Sequence, residues 1–344
     1  VPTVPISGQG LLLAVDSAIQ DLSIFAPASP DGRSIVDLAV LSVAVGGLIF
    51  LIVEGVLLYS IWKFHARRDD TQEPAQVYGS QPIEIAWTAA PTMIVFFLVL
   101  VTTRTLWEVN VPPPTPSPDE KGLFVTVIGR QWWWEYHYES FDGKRLGFIT
   151  ANELHVPSGE GGIPQPVYLQ LESADVCHSF WVPRLCGKMD LIPGKPNALT
   201  LRADAPGLFL GQCAEFCGTQ HASMLIRVVA EPAEEFKQWL EDQQRPAAES
   251  SEADAVRGKG VFLAHSCINC HRIRGTSAHG SYAPDLTHLM SRETLASGMI
   301  ANDKTNLLAW VRDPQSIKQG CLMPPFGLSD EENRQIVDYL MTLR

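Results

Sequence analysis

At 344 residues the chain has room for two or three domains, and its composition is uneven along its length. A formal net charge of −12, from 26 Lys and Arg against 38 Asp and Glu, with no basic stripe, argues against nucleic-acid binding. Charged residues make up only 19% because two early stretches are nearly free of them, which argues against a wholly soluble chain.

Residues 1–34 read as an extracytoplasmic N-terminal segment. The chain begins at Val1 without Met, as a processed or trimmed chain does. Its apolar run at residues 11–15 is too short to span a bilayer and has no basic residues before it, so it is no signal peptide as it stands. Residues 35–110 read as a transmembrane helical hairpin, with spans at about 35–62 and 83–107, each long enough for roughly 30 Å of hydrocarbon. The first span carries Asp37 near its start and Glu54 inside. The second has Glu84 at its start, Pro91 inside and Arg104 near its end. A buried helix of a soluble protein is the other reading of either stretch, and two in succession favour the hairpin. Lys63, His65, Arg67 and Arg68 crowd the exit of the first span. By the positive-inside rule this loop is cytoplasmic and both termini lie outside.

Residues 111–118 are proline-rich and read as a stiff spacer. Residues 120–230 show short runs rich in Val, Ile, Tyr, Trp and Thr, such as 123–128, 167–171 and 225–229, separated by Gly, Pro and Asp. That pattern predicts an all-β sandwich or barrel. Residues 231–254 read as a short helix (232–242) followed by an acidic Ala/Ser-rich linker. Residues 255–344 read as helical, ending in an amphipathic helix over 330–343.

The densest chemistry is Cys213-x-x-x-Cys217-x-x-x-His221-x-x-Met224. Soft sulfur with imidazole favours copper, zinc or iron–sulfur, and the thioether tilts the choice to copper. Two thiolates instead of one let the set hold two metals. A second imidazole must come from elsewhere, and His178, at the end of an apolar strand, is the candidate; a satisfied core histidine is the alternative.

Gln131-Trp-Trp-Trp-Glu-Tyr136, Asp175-Val-Cys-His-Ser-Phe-Trp-Val-Pro183, Gly187-Lys-Met-Asp-Leu-Ile-Pro-Gly194 and Gln212-Cys-Ala-Glu-Phe-Cys-Gly-Thr-Gln-His-Ala-Ser-Met224 resemble subunit II of cytochrome c oxidase. The resemblance covers residues 20–240. It implies a cupredoxin-like fold for 120–230 and a dinuclear CuA centre held by His178, Cys213, Cys217, His221, Met224 and the backbone carbonyl of Glu215. It also implies that the Glu215 side chain helps hold a magnesium shared with subunit I. By the same resemblance Trp132 is the surface residue through which electrons enter, although packing is the other reading of the neighbouring Trp133 and Trp134. Glu84 matches a carboxylate at the mouth of a proton channel in subunit I; a solvated end residue is the bland alternative. Glu54, a carboxylate inside a span, is expected to be neutral or hydrogen-bonded to a neighbouring subunit.

Cys267-Ile-Asn-Cys-His271 is the attachment pattern of a covalent haem c, with Cys267 and Cys270 as thioether links and His271 as an iron ligand. With the terminal helix and a Met in a Pro-bounded loop, residues 255–344 resemble an all-α class I cytochrome c. Met323, in Met323-Pro-Pro-Phe326, is the expected second iron ligand; Met290, Met299, His279 and His288 are rivals. A His/Met pair raises the haem potential relative to bis-His ligation, which suits donation to CuA. Pro284 matches the family residue whose carbonyl orients the proximal imidazole. Cys177 and Cys186 are expected either as a disulfide or as two free thiols; Cys321 has no evident partner.

The two resemblances together imply a multi-domain chain, expected to serve as subunit II of a bacterial cytochrome c oxidase with its own cytochrome c, in the cytoplasmic membrane with the copper and haem domains on the periplasmic side. Electrons would pass from an external donor, a cytochrome or a respiratory complex, to haem c, then CuA, then subunit I, where oxygen is reduced with proton pumping. A linker of about 15 residues would hold the haem domain near the copper at an effective concentration on the order of millimolar. A CuA-bearing subunit of a nitric oxide reductase is the alternative. Nitrous oxide reductase, a quinol oxidase subunit and a stand-alone shuttle fit the spans or the ligand set less well.

Overall fold

A computed structural model describes residues 23–65, 73, 76, 78–110, 114, 120–159 and 165–344. Arg67 and Arg68 of the basic loop, most of the proline-rich spacer and most of the N-terminal segment lie outside the described residues. The chain forms two units, residues 33–111 and the remainder.

The first unit holds α1 (Pro30–Lys63), except for its first three residues, and α2 (Gln81–Val109). Helix α1 begins five residues earlier than the sequence predicts, because Ser29 Oγ accepts the Gly32 N–H at 2.8 Å and Pro30 suits the first helical position. Pro91 withdraws one donor inside α2. The Thr88 and Thr92 hydroxyls in that stretch donate to the Glu84 and Thr88 carbonyls. Both helices leave large apolar side chains uncovered by protein, among them Leu51, Leu58, Val95 and Phe96. Such a surface is stable in hydrocarbon and costly in water. Both are long and apolar enough to cross a membrane. Glu54 is half-buried and Glu84 is exposed at the start of α2.

The second unit opens with β1 (Leu123–Arg130), β2 (Trp133–Phe141), β3 (Lys144–Ala151), β4 (Glu153–Pro157) and β5 (Val167–Ser173). There follow β6 (His178–Trp181), β7 (Met189–Leu191), β8 (Asn197–Leu201), β9 (Gly207–Cys213) and β10 (Leu225–Glu231). They form two five-stranded sheets, in the orders β3-β2-β1-β5-β8 and β4-β10-β9-β6-β7. Strands β1 and β5 pair in parallel, as do β4 and β10, and the hairpins between are antiparallel. Alternate residues of β1 and β10 turn inward, as a period of two requires. Val125, Val127, Trp134, Tyr136, Leu169, Phe180, Ile226 and Val228 share one buried core. Asp142 and Gly143 turn β2 into β3 with φ of 46° and 76°, the left-handed pair a tight hairpin needs. Helix α3 (Ala233–Gln244) sends Phe236 and Leu240 into that same core.

The C-terminal part comprises α4 (Ala253–Ala264), the single turn α5 (Cys267–Cys270) and the two-residue strands β11 (Thr294–Leu295) and β12 (Ile300–Ala301). It ends with α6 (Lys304–Arg312), the turn α7 (Pro314–Ile317) and α8 (Asp330–Leu340). Phe262, Ile273, Leu307, Ile336 and Val337 make its separate core. A capping box of Ser329 and Glu332 starts α8. This helix stops three residues short of the expected end, and residues between His271 and Asp303 are mostly irregular where helix was expected. They wrap around a cavity, so their contacts run to the cavity walls instead of to a helical face.

Beside the linker expected between the two domains, the domains meet in a packed junction. Arg274 donates to the carbonyls of Gln243 and Gln244, the latter at 3.2 Å, and Ala247 N–H donates to Arg274 O at 3.1 Å. Glu153 on β4 accepts from the Glu293 and Thr294 N–H groups, both at 2.9 Å, and from the Thr294 hydroxyl at 2.7 Å. Arg227 on β10 forms an ion pair with Glu293.

Candidate copper and haem sites

Cupredoxin geometry brings one ligand from a strand and the rest from one loop. Strand β6 begins at His178 and pairs with β9, whose last residue is Cys213. The loop 214–224 then returns to β10, closed by Cys213 N–H to Met224 O at 3.0 Å and Ala214 N–H to Ser179 O at 2.9 Å. The ligand atoms of His178, Cys213 and Cys217 fall within 4.8 Å of one another. Cys213 Sγ and Cys217 Sγ lie 3.8 Å apart; His178 Nδ1 is 3.9 Å from the first and His221 Nδ1 is 3.7 Å from the second. Met224 Sδ lies 3.9 Å from Cys217 Sγ, and the Cys213 thiol donates to Glu215 O at 3.2 Å. The six predicted groups therefore converge, with soft and imidazole donors on both sides of a pair of thiols. That donor set fits a copper centre. The Glu215 side chain is exposed, as is Phe216 beside it.

The electrostatics suit a cation. Two thiols this close cannot both ionise without a metal between them. The hydrogen bond shared with Cys217, supported by His178 and by the backbone of Ser179 and Glu215, holds Cys213 well below the usual thiol range despite burial. Cys217 is pushed up by that same interaction and by burial. Burial alone would lower His178. Its hydrogen bond to Asp175 Oδ1 at 2.8 Å, with the Cys213 contact, more than offsets this and raises it. Asp175 thereby fixes the tautomer that turns Nδ1 toward the thiols.

Sequence reasoning missed Asp175 and also Gly129, where an added Cβ would lie 2.8 Å from the His178 ring. A short acidic residue and a strand glycine carry no signal of their own. Trp132 donates through Nε1 to Cys217 O at 3.0 Å, and Gln131 Nε2 donates to the same oxygen at 2.7 Å. Trp134 is wholly buried, with its ring edge toward His178 at 6.1 Å, whereas Trp133 is half-buried.

On the other side of Trp132 lies a cavity of about 370 Å³ lined by Cys267, Cys270, His271, Pro284 and Met323 and by Gln131, Trp132 and Trp133 of the β domain. His271 Nδ1 donates to Pro284 O at 2.8 Å, which leaves Nε2 for a metal. Burial lowers the His271 pKa, so the imidazole is held neutral, as a ligand must be. Gln315 Nε2 donates to Met323 O at 2.9 Å and steadies the Met loop. Two thiols, an imidazole and a thioether around an otherwise mostly apolar cavity fit a covalent haem.

The rivals Met290, Met299, His279 and His288 do not line this cavity. His288 is a satisfied structural histidine, bonded to Arg344 O at 2.8 Å and Arg245 O at 3.0 Å. The disulfide considered for Cys177 and Cys186 is not formed. Cys177 is exposed, while Cys186 is buried and its thiol faces Val182 O within its own turn. Burial pushes the Cys186 thiol up to about 12, which keeps it protonated. Cys321 is half-buried at the cavity wall, and its thiol accepts from Gln315 Nε2 at 3.3 Å.

An apolar helical pair, a cupredoxin-like β domain with a two-thiol metal site, and a helical domain with a haem-attachment motif define a membrane-anchored electron-transfer protein. The family model described as cytochrome c oxidase subunit II, periplasmic domain, matches residues 123–231; that of the transmembrane domain of the same subunit matches 18–104, and that of cytochrome c matches 255–344. Cytochrome c oxidase subunit 2 of Alkalihalophilus pseudofirmus is 34% identical, covering 99% of this chain and 96% of that protein. The Bacillus subtilis protein of the same name is 31% identical over 94% of this chain and 92% of its own length. The crystal structure of the periplasmic domain of subunit II of cytochrome oxidase from Bradyrhizobium japonicum is 30% identical, with a TM-score of 0.33 over 36% of this chain and 95% of that one. The chain belongs to the cytochrome c oxidase subunit II family, with a cytochrome c domain fused at its C-terminus.

Proposed function

We propose that this chain is the subunit through which electrons reach a haem–copper oxidase, taken up at its own haem c and delivered through CuA to an oxygen-reducing subunit I. The observation that carries the reading is the convergence of His178, Cys213 and Cys217 within 4.8 Å, with Trp132 between that cluster and the haem cavity. His178, Cys213, Cys217, His221, Met224 and the Glu215 carbonyl would hold the copper pair. Cys267 and Cys270 would carry the haem, and His271 and Met323 would ligate its iron. When bound, both groups supply one-electron redox chemistry.

The chain's own residues do the rest. Asp175 orients the His178 imidazole and Pro284 that of His271. Burial of His178, Cys213, Cys217 and Met224 keeps water from the metal and limits rearrangement of the ligands. Trp132, hydrogen-bonded to Cys217, is the proposed path into the copper site, and its neighbours Trp133 and Trp134 are packing residues. The exposed Glu215 carboxylate is proposed to hold a magnesium ion with subunit I. Glu84 is proposed to stand at the mouth of a proton channel in that subunit. Lys63 and His65 at the end of α1, with Arg67 and Arg68, support a cytoplasmic loop, and the copper and haem domains are proposed to lie on the periplasmic side. The donor is proposed to be an external cytochrome or respiratory complex.

The test is to purify the complex and assay it. Expected are two coppers and one haem c per chain, a hyperfine pattern from one electron shared by two equivalent coppers, and oxygen consumption driven by a reduced cytochrome. A single-copper pattern would remove the dinuclear site, and turnover of nitric oxide without oxygen would assign the complex to a nitric oxide reductase.

A further inference from the structure

Lys318, just after α7, is almost fully buried, with 3% of its surface exposed. Its ammonium donates to three carbonyl oxygens, Trp132 O at 2.8 Å, Ser223 O at 2.8 Å and Ala296 O at 3.1 Å. Three donors thus meet three acceptors, and no carboxylate pairs with it among the described residues. Two of these acceptors belong to the β domain, the Trp132 backbone and the residue before the ligand Met224. The third belongs to the cytochrome domain. Burying an ammonium is costly, so a lysine here needs a reason. Burial pushes it down to about 8, which still leaves the charge on at neutral pH.

The same turn serves the haem side. Gln315, within α7, holds the carbonyls of Cys321 and Met323 at 2.8 and 2.9 Å. Lys318 itself lines the haem cavity. A continuous set of polar contacts therefore runs from the Met323 loop through α7 to Lys318, to the Trp132 backbone, and from the Trp132 indole to Cys217 O at 3.0 Å. Trp132 is gripped at both ends, its carbonyl by the cytochrome domain and its indole by the copper loop.

We propose that Lys318 is a positioning residue that locks the cytochrome domain onto Trp132 and thereby sets the electron step from haem c to CuA within the chain. This rests on the subunit II reading. The step moves one electron from the reduced haem to the oxidised copper pair, with no bond made or broken and no proton taken up. None of the three acceptors is a metal ligand, so copper and haem ligation is expected to be independent of Lys318; loss of its buried charge near Cys217 lowers the copper potential equally in every uncharged variant, so a difference between two such variants reads the hydrogen bonds alone. What the contacts fix is the place of Trp132 relative to the haem cavity.

The experiment uses the assembled complex. In the wild type, acylation of Lys318 by a water-soluble amine reagent is expected to lag that of Lys304, whose side chain is 63% exposed, by at least tenfold, roughly what local protection of a docked interface gives. Equal labelling overturns the lock. Lys318→Met removes the charge and all three donors at similar volume. Electron passage from reduced haem c to CuA in this variant should slow by about tenfold or more, since hydrogen bonds to charged groups are the strong ones. The haem and copper ligation seen in the spectra should stay as in the wild type, and so should direct reduction of copper by a small, strongly reducing donor, whose driving force far exceeds the shift from the lost charge. Lys318→Gln, which keeps an amide donor, should recover part of the rate.

An unchanged rate in K318M overturns the proposal, and so does an equal slowing of direct copper reduction, which would mean site damage instead of lost docking. Should neither variant assemble, the acylation of the wild type still decides. If the wild type passes no electron from haem to copper at all, the subunit II reading fails, and not the lock alone.

Discussion

Asp175 decides which nitrogen of His178 faces the thiols. Its carboxylate accepts from His178 Nε2 at 2.8 Å and from the Gln131 and Val176 N–H groups, both at 2.7 Å. Burial would raise this carboxyl; those hydrogen bonds, His178 first, more than offset it and keep it ionised. Asp175→Ala should lower copper affinity by about 10- to 100-fold, the usual cost of losing the partner of a ligating histidine. Partition of copper between the protein and a chelator of known affinity measures it, and unchanged partition would remove Asp175 from the site. Glu135 offers a pH test. Burial would raise it, but hydrogen bonds with His137 and Arg130 hold it below its ordinary 4.5. A depressed folded value gives stability that is fully present above 4.5 and is lost as pH falls through the folded value. Glu135→Gln should therefore flatten the acid limb of a urea-midpoint series; parallel curves for variant and wild type would count against the assignment. At this scale the metal ligands were legible because Cys, His and Met are rare and their spacing fits one loop. Asp175 and Gly129 were not, because their role exists only once β1, β6 and the loop between β5 and β6 meet.

Among the elements, the strands were readable from alternation and the terminal helix from its amphipathic stripe and its Ser329 cap. The stretch from His271 to Asp303 was not, since its residues answer to the cavity and not to a repeating face. Two helices of the cytochrome domain cross at a glycine. A Cβ added to Gly258 on α4 would lie 1.8 Å from Gln335 O and 3.0 Å from Tyr339 Cβ on α8. The first obstacle is backbone, so relief requires the helices to part. Gly258→Ala improves helix propensity yet should destabilise the cytochrome domain by about 1–3 kcal/mol, the range for overpacking. Gly260, two residues on, meets nothing within 4 Å, so Gly260→Ala is the control and should be neutral or slightly stabilising. Thermal unfolding followed at the haem absorbance distinguishes them, and equal melting of the two variants would show that the crossing tolerates a methyl group.

The whole molecule differs most from what its sequence suggests at the junction of the β and cytochrome domains. A linker rich in Glu, Ser and Ala predicts a tether, and composition cannot reveal that residues on either side form a shared interface. Glu153 is the centre of its outer part. It is 2% exposed, accepts three hydrogen bonds from Glu293 and Thr294, and lies 3.3 Å from Arg227 Nε in an ion pair. Near it, Leu225 N–H donates to Ser297 O at 3.3 Å. Glu153→Gln keeps the shape but turns one acceptor into an amide donor facing N–H groups. Breaking a buried charged network from one side costs about 3 kcal/mol or more. That loss falls on the coupling between domains and not on either core, because the hydrophobic cores around Val127 and Ile336 are separate. In the metal-loaded chain the two domains should therefore unfold together in the wild type, by calorimetry and by haem absorbance alike. In the Glu153→Gln variant the haem signal should be lost at a lower temperature than the copper signal. Coincident loss of both signals in the variant would mean that the domains are held by other contacts, with Lys318 the first to test in combination.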